Sequence, residues 1–311
     1  MYKIIIEKQN DLQRIKLLNA KTEEYISILP DLGANVNEIV LKKDDKLFSV
    51  LDGRKSKKEF EGSEIYNSAV LFPFANRIRH GKYEFEGKAY QLPINWPQEG
   101  HAIHGFICNK QFEIEGKHSD EKKAEIELVH KYDGFYPGYP FPFQLSIKYR
   151  LDEKGFSANI EAYNTGVKRM PFNLGWHPYF SINENINRVK MQIPLSNIVL
   201  VDKLIPTGEK KPNTQFLELE EIYEKEFDTC FSINKTADFF NTKLFLPQKE
   251  ITIILEQDKA FKYLQIYTPP ERKSIAIEPM TGNVNNFNNK SDLITLDPEE
   301  RINMNYGIRI E

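Results

Sequence analysis

The sequence predicts an antiparallel all-β fold, and three observations predict it. Apolar residues recur mostly with a period of two, turn signals punctuate the chain at hairpin spacing, and helix-type periodicity is scarce. The clearest case is FQLSIKYRL. Phe143, Leu145, Ile147, Tyr149 and Leu151 face one way there, and Gln144, Ser146, Lys148 and Arg150 the other, as on a half-buried strand.

Taken in order, KYEFEGKAYQL reads as a hairpin around Gly87 and AEIELVHKY as a strand. The alternation of 143–151 turns at DEKG, where Gly155 supplies a positive backbone angle, and resumes at Phe156, Ala158, Ile160 and Ala162. ITIILEQ, YLQIYTP and SIAIEPM follow near the C-terminus. The chain closes on Ile302, Met304, Tyr306, Ile308 and Ile310 alternating in one strand. Two helical signals stand against this: FLELEEIYEKEF over 216–227 predicts a short amphipathic helix, and 59–69 a turn or two. No linker composition and no internal repeat divides the chain, which predicts one domain over 1–311. The proline-rich YPGYPFPF at 136–143 reads as an ordered loop lining a pocket, in preference to a ligand for an aromatic groove on another protein.

Composition narrows the function. With 311 residues, 40% hydrophobic and 28% charged, the chain can bury a large core. Its 42 basic and 45 acidic residues leave a net charge of −3, which gives no electrostatic reason for nucleic acid or a membrane surface as partner. The expected partner is a small molecule. MYKIIIEKQND lacks the long apolar run of a signal peptide or membrane span, so the expected location is cytoplasmic and Cys108 and Cys230 are expected to be reduced. The sequence specifies no oligomeric state.

Four polar clusters interrupt the β pattern: ANRIRHG at 75–81, HAIHG at 101–105, GWHPYF at 175–180 and IEPMTGNVNNFNN at 277–289. FDTCF at 227–231 is a fifth. His177 sits among aromatics, where a purely packing role would favour Leu or Phe. Glu278 ends an apolar strand, and such surroundings push a carboxyl toward the range of a proton acceptor. Arg77, Asp228, several asparagines and many aromatics together resemble a sugar pocket, in which polar groups bind hydroxyls and rings stack on the carbohydrate's apolar face. His101 and His104 are three apart, which on a strand puts their rings on opposite faces, so no metal is expected. His80, His118 and His130 are expected to be solvated. No phosphate loop or dinucleotide fingerprint is present, and no cofactor is expected.

In this order the clusters resemble the aldose 1-epimerase (mutarotase) family over nearly the whole chain. ANRI is similar to its Asn-Arg-Ile element, AIHGF to its first histidine element, GWHPYF to the second, FDTCF to the aspartate segment and AIEPMTGNVNNFN to the glutamate segment. The resemblance implies a large β-sandwich with an open cleft and an isomerase that interconverts the anomers of an aldohexose. Glu278 would take the proton of the C1 hydroxyl and His177 would protonate the ring oxygen. His104 would serve the ring-oxygen region, and Arg77, Asp228, Asn76 and Trp176 would bind the sugar. Gly105 is followed by Phe106 where galactose mutarotases carry a second glycine, and EPMTG is closer to divergent members, some acting on hexose 6-phosphates. Free and phosphorylated sugars therefore both stay open, with Arg79 or His101 as additional contacts. A non-catalytic carbohydrate-binding protein of the same fold, a glycoside hydrolase using Asp228 and Glu278, and a zinc hydrolase are the other classes.

Overall fold

Alternation carries directly into the sheets. In the hairpin of Phe143–Asp152 and Gly155–Asn164, Phe143 pairs with Asn164 and Asp152 with Gly155, and the five odd-numbered apolar residues from 143 to 151 are all buried. The computed structural model describes residues 1–311 apart from 10, 11, 52, 55, 61–65, 183, 184, 235 and 236. Among the described residues this hairpin lies in a nine-stranded antiparallel sheet, next to the C-terminal strand Arg301–Ile310. A 13-stranded sheet forms the second layer, and Tyr179–Ser181, Ser274–Met280, Tyr263–Tyr267, Asp228–Ile233 and Ser196–Asp202 run side by side within it.

The apolar face of each sheet needs cover, and the two sheets provide it for each other. One hydrophobic cluster draws on both: Ile26, Ile28 and Ile39 from the larger sheet, Leu145, Ile147 and Met304 from the smaller. Tyr149 crosses between the layers, its hydroxyl donating 2.9 Å to the Ala34 carbonyl, and Trp176 stacks on Tyr306 with ring centroids 4.4 Å apart.

The 216–227 segment is not a helix. Glu220–Glu221 pairs as a short strand with Lys190 and Met191, and the remainder is turn and bend. A helix would stack Glu220 on Glu224 and Glu218 on Glu221, a like-charge arrangement that destabilises it. The extended form buries Phe216, Ile222 and Phe227, and Arg272 donates to the carbonyls of Tyr223 and Lys225. In the 59–69 region Lys57–Phe60 forms one 3-10 turn, and 61–65 lies outside the described residues. The 136–143 loop lines a pocket of about 670 Å³ with Tyr136, Pro142 and Phe143. His80 and His118 are exposed, but His130 is half-buried against Phe112, its Nδ1 2.9 Å from the Gln111 carbonyl. Cys108 and Cys230 are buried free thiols. Among the described residues no helix is long and apolar enough to cross a membrane.

Candidate active site

Three adjacent strands bring together acids that are 50 residues apart in the chain. Gln265 on Tyr263–Tyr267 pairs across to Glu278 on one side and to Cys230 on the other, and Asp228 pairs with Tyr267. Residues two apart on a strand share a face, so Asp228, Gln265 and Glu278 point into one cleft. Gln265 donates 2.7 Å to Asp228 Oδ1.

Arg77 and His104 enter from a two-strand ladder, Arg77–Ile78 against Ala102–Ile103, with Ile103 opposite Arg77. Asn76 ties them together. Its backbone N–H donates 3.2 Å to His104 Nδ1, its carbonyl accepts from the His104 N–H at 3.1 Å, and its Oδ1 accepts from Arg77 N and Nη1 at 2.9 and 3.1 Å. With Nδ1 an acceptor, the neutral His104 carries its proton on Nε2 and is a donor there. Asn76 and His104 both hold φ near +60°, 57° and 62°. That left-handed backbone costs a non-glycine residue on the order of 1 kcal/mol, and it is fixed here by the mutual hydrogen bonds.

His177 and Trp176 are neighbours in an extended segment and so take opposite faces. Trp176 turns into the core, fully buried, its indole N–H donating 3.0 Å to the Ser68 carbonyl. It does not line the cleft. His177 faces the cleft, stacked on Tyr179 at 4.9 Å and 5.1 Å from the His104 ring, with Nε2 3.3 Å from Glu278 Oε1. The aromatic side chain that lines the cleft in place of Trp176 is Trp96, with Tyr66, Tyr179 and Tyr267.

Burial sets the electrostatics. It holds the Glu278 carboxyl well above the usual carboxylate range, reinforced by Asp228 and opposed by Arg77, and it lowers the imidazoles of His177 and His104. Neither Glu278 Oε2 nor His177 Nδ1 has a hydrogen-bond partner among the described residues. Burial opposes the charge on Arg77, but Glu99 and Asp228 overcome it and hold the guanidinium charged.

The cleft, about 730 Å³, thus gathers Asn76, Arg77, His104, His177, Asp228 and Glu278. Sequence reasoning missed Glu99 and Gln265. Gln265 was the one polar residue inside YLQIY, an available signal, whereas Glu99 lies in an ordinary turn sequence. The asparagines of 283–289 stand behind the cleft: Asn285 N–H donates 2.9 Å to the Arg77 carbonyl, and its Oδ1 accepts from Arg79 N. His101 turns to His80, centroids 5.4 Å apart, and among the described residues no group of three or more metal-type ligands forms.

A family model described as aldose 1-epimerase matches residues 16–309. The chain belongs to the aldose 1-epimerase family. This epimerase-family chain is 30% identical to the uncharacterized protein YihR of Escherichia coli K12 over 237 residues, 73% of this chain and 74% of that one. It is 27% identical to the galactose mutarotase of Homo sapiens over 209 residues, 66% of this chain and 56% of the human protein. Its fold superposes on a galactose mutarotase-like protein from Clostridium acetobutylicum with a TM-score of 0.90 at 25% identity, covering 100% of this chain and 98% of the other. The galactose 1-epimerase of Lactobacillus acidophilus NCFM shares the fold at a TM-score of 0.80 and 18% identity, covering 100% and 98%. The β-sandwich expectation is thereby met. Membership places the chain in a family of carbohydrate isomerases that act on sugars.

Proposed function

We propose that the protein interconverts the α and β anomers of a free aldohexose by opening and reclosing the hemiacetal. The observation that carries this is the buried pair Glu278 and His177, 3.3 Å apart, with the carboxyl shifted up and the imidazole down. Such a pair holds one proton between its two members. Passing that proton from Glu278 to His177 Nε2 creates a carboxylate base and an imidazolium acid without exchange with solvent.

The balance is then complete. The carboxylate takes the C1 hydroxyl proton, His177 delivers its proton to the ring oxygen, and the C1–O bond breaks to leave an open-chain aldehyde. Rotation about C1–C2 and the reverse transfers close the other anomer, and both side chains return to their starting state. His104 Nε2–H supports the ring oxygen, Arg77 and Asp228 hold hydroxyls, and Trp96 offers a ring face to the sugar. A proton taken at one oxygen and supplied at the next suffices, so no metal or redox group is called for.

Arg77, which lines the cleft, is already shared by Glu99 and Asp228, which favours an uncharged sugar. Arg54 and Lys273 line the same cleft, and they support the second reading, a hexose 6-phosphate. Polarimetry or NMR on freshly dissolved α-glucose, α-galactose and glucose 6-phosphate separates the two. Faster equilibration of a free hexose, retained after dialysis against a strong chelator, is the expected result. A higher kcat/KM for the 6-phosphate overturns the substrate class, and no acceleration of any sugar overturns the activity.

A further inference from the structure

Glu99 lines the cleft as an ionised group to which the proposed proton transfers assign no part. It projects from the loop 96–101, which is closed at its base by backbone hydrogen bonds in both directions between Trp96 and His101, 3.2 and 3.3 Å. Within the loop the N–H groups of Glu99 and Gly100 converge on the Trp96 carbonyl at 3.3 and 3.1 Å, and Gly100 takes the left-handed backbone, φ +71°, that the turn requires. The loop therefore closes through its backbone, whatever side chain stands at 99.

The carboxylate meets Arg77 edge-on. Nε donates to Oε2 at 2.5 Å and Nη2 to Oε1 at 3.0 Å, the planar two-bond match that only arginine makes with a carboxylate. A third donor, Nη1, goes to Asn76 Oδ1 at 3.1 Å. A guanidinium has five N–H donors, so one on Nη1 and one on Nη2 are left. Nη2 lies 3.7 Å from Asp228 Oδ2, on the cleft wall.

We propose that Glu99 is a positioning residue for sugar recognition: it fixes the guanidinium plane of Arg77 so that its two remaining N–H groups meet the sugar hydroxyls already ordered. The inference rests on the epimerase reading of the cleft. A lone arginine side chain has many rotamers and loses that freedom when it binds. Held by Glu99 and Asn76, Arg77 has lost it before the sugar arrives, which improves affinity without a new contact to the ligand.

The test is a double-mutant cycle on the full-length protein, with Glu99→Ala, Arg77→Ala and both together. It is read as KM and kcat for anomer interconversion and as Kd for glucose and galactose by calorimetry. Glu99→Ala is expected to raise KM and Kd about 10- to 100-fold, the scale of a charged hydrogen-bonded pair, with a smaller change in kcat; it also lowers the melting transition, because the buried guanidinium loses its partner, and the assays are run below that transition. In the Arg77→Ala background the same change is expected to do nothing further, because its target is gone. Glu99→Asp, which keeps the charge at shorter reach, is expected to recover part of the loss. Full additivity of the two alanine changes, or wild-type KM and Kd for Glu99→Ala, overturns the inference while leaving the epimerase reading intact. A wild-type protein that neither accelerates anomer exchange nor binds either sugar overturns both.

Discussion

Two strand pairs in this molecule, one from each sheet, follow opposite rules. In Phe143–Asp152 with Gly155–Asn164 the apolar residues lie on one face and charged ones such as Lys148 and Arg150 on the other, so most side chains have the surroundings they prefer. In Tyr263–Tyr267 with Ser274–Met280 nearly every position is buried, and the polar residues Gln265 and Glu278 stand directly opposite each other inside the apolar pattern. Burying a carboxyl in such a place costs stability unless its partners compensate, and one Glu278 oxygen has no partner among the described residues. The first pair is built for stability. On the proposed mechanism the second gives stability up for chemistry, in line with the strain that proteins concentrate at active sites.

The largest effect that can break this contrast is on rate. Glu278→Gln keeps size and hydrogen bonding but accepts no proton, and His177→Asn keeps polarity but donates none. Each is expected to lower turnover about 10²- to 10⁴-fold, the scale of a positioned general acid or base. The double mutant is expected to be scarcely worse than the slower single mutant, because the two act as a unit. A folded single mutant with wild-type turnover removes that residue from the mechanism.

The first strand pair calls for the reverse outcome. Ile147→Ala, at a fully buried position of the nine-stranded sheet, is expected to cost about 2–5 kcal/mol by denaturant titration, the range for deleting a packed aliphatic side chain. Turnover of the protein that remains folded should match wild type. A loss of kcat well below the melting range would show that the two sheets are coupled in function, and the division drawn here would fail.

The same contrast explains what could be read from the chain. Alternation exposes a one-sided strand in a single sequence, because water on one face forces the pattern. The hairpins at Gly87 and Gly155 and the last strand were legible for that reason. Glu278 was legible because an acid broke an apolar run. Trp176 was misplaced by proximity to His177, although adjacent residues of a strand point to opposite faces and cannot both line one cleft. Trp96 and Glu99 were invisible because their place depends on a loop held against Arg77 by the pairing of Ala102–Ile103 with Arg77–Ile78, a long-range contact that local pattern does not encode. The 216–227 segment failed as a helix for a related reason: its apolar spacing fits a helix, but a sheet edge and the donors of Arg272 compete for the same backbone.

The smallest effect is on the pH dependence of stability, and it decides how the proton sits in the empty pair. Burial raises the pKa of Glu278 in the folded protein above its ordinary 4.5. As pH climbs past about 4.5 the unfolded chain ionises this group while the folded one retains its proton, so wild-type stability is eroded with rising pH. Glu278→Gln removes that erosion, and its Tm relative to wild type is expected to rise from pH 4.5 to 7. His177 runs the other way. Burial lowers it from 6.5 to about 3, so between these values the unfolded chain binds the extra proton and wild-type stability falls as pH falls. The Tm of His177→Asn relative to wild type is therefore expected to rise as the solution is taken from pH 6.5 toward 4.5. Each comparison is a difference against wild type, so titrations elsewhere in the chain, including that of His104, largely cancel. If the resting pair were instead carboxylate and imidazolium, both slopes would vanish in these windows and reappear outside them with the opposite sign: Glu278→Gln would lose Tm relative to wild type as pH rises toward 4.5 from below, and His177→Asn would lose it as pH falls toward 6.5 from above. Two melting series thus tell a neutral pair that transfers its proton only when sugar arrives from an ion pair already charged for the reaction.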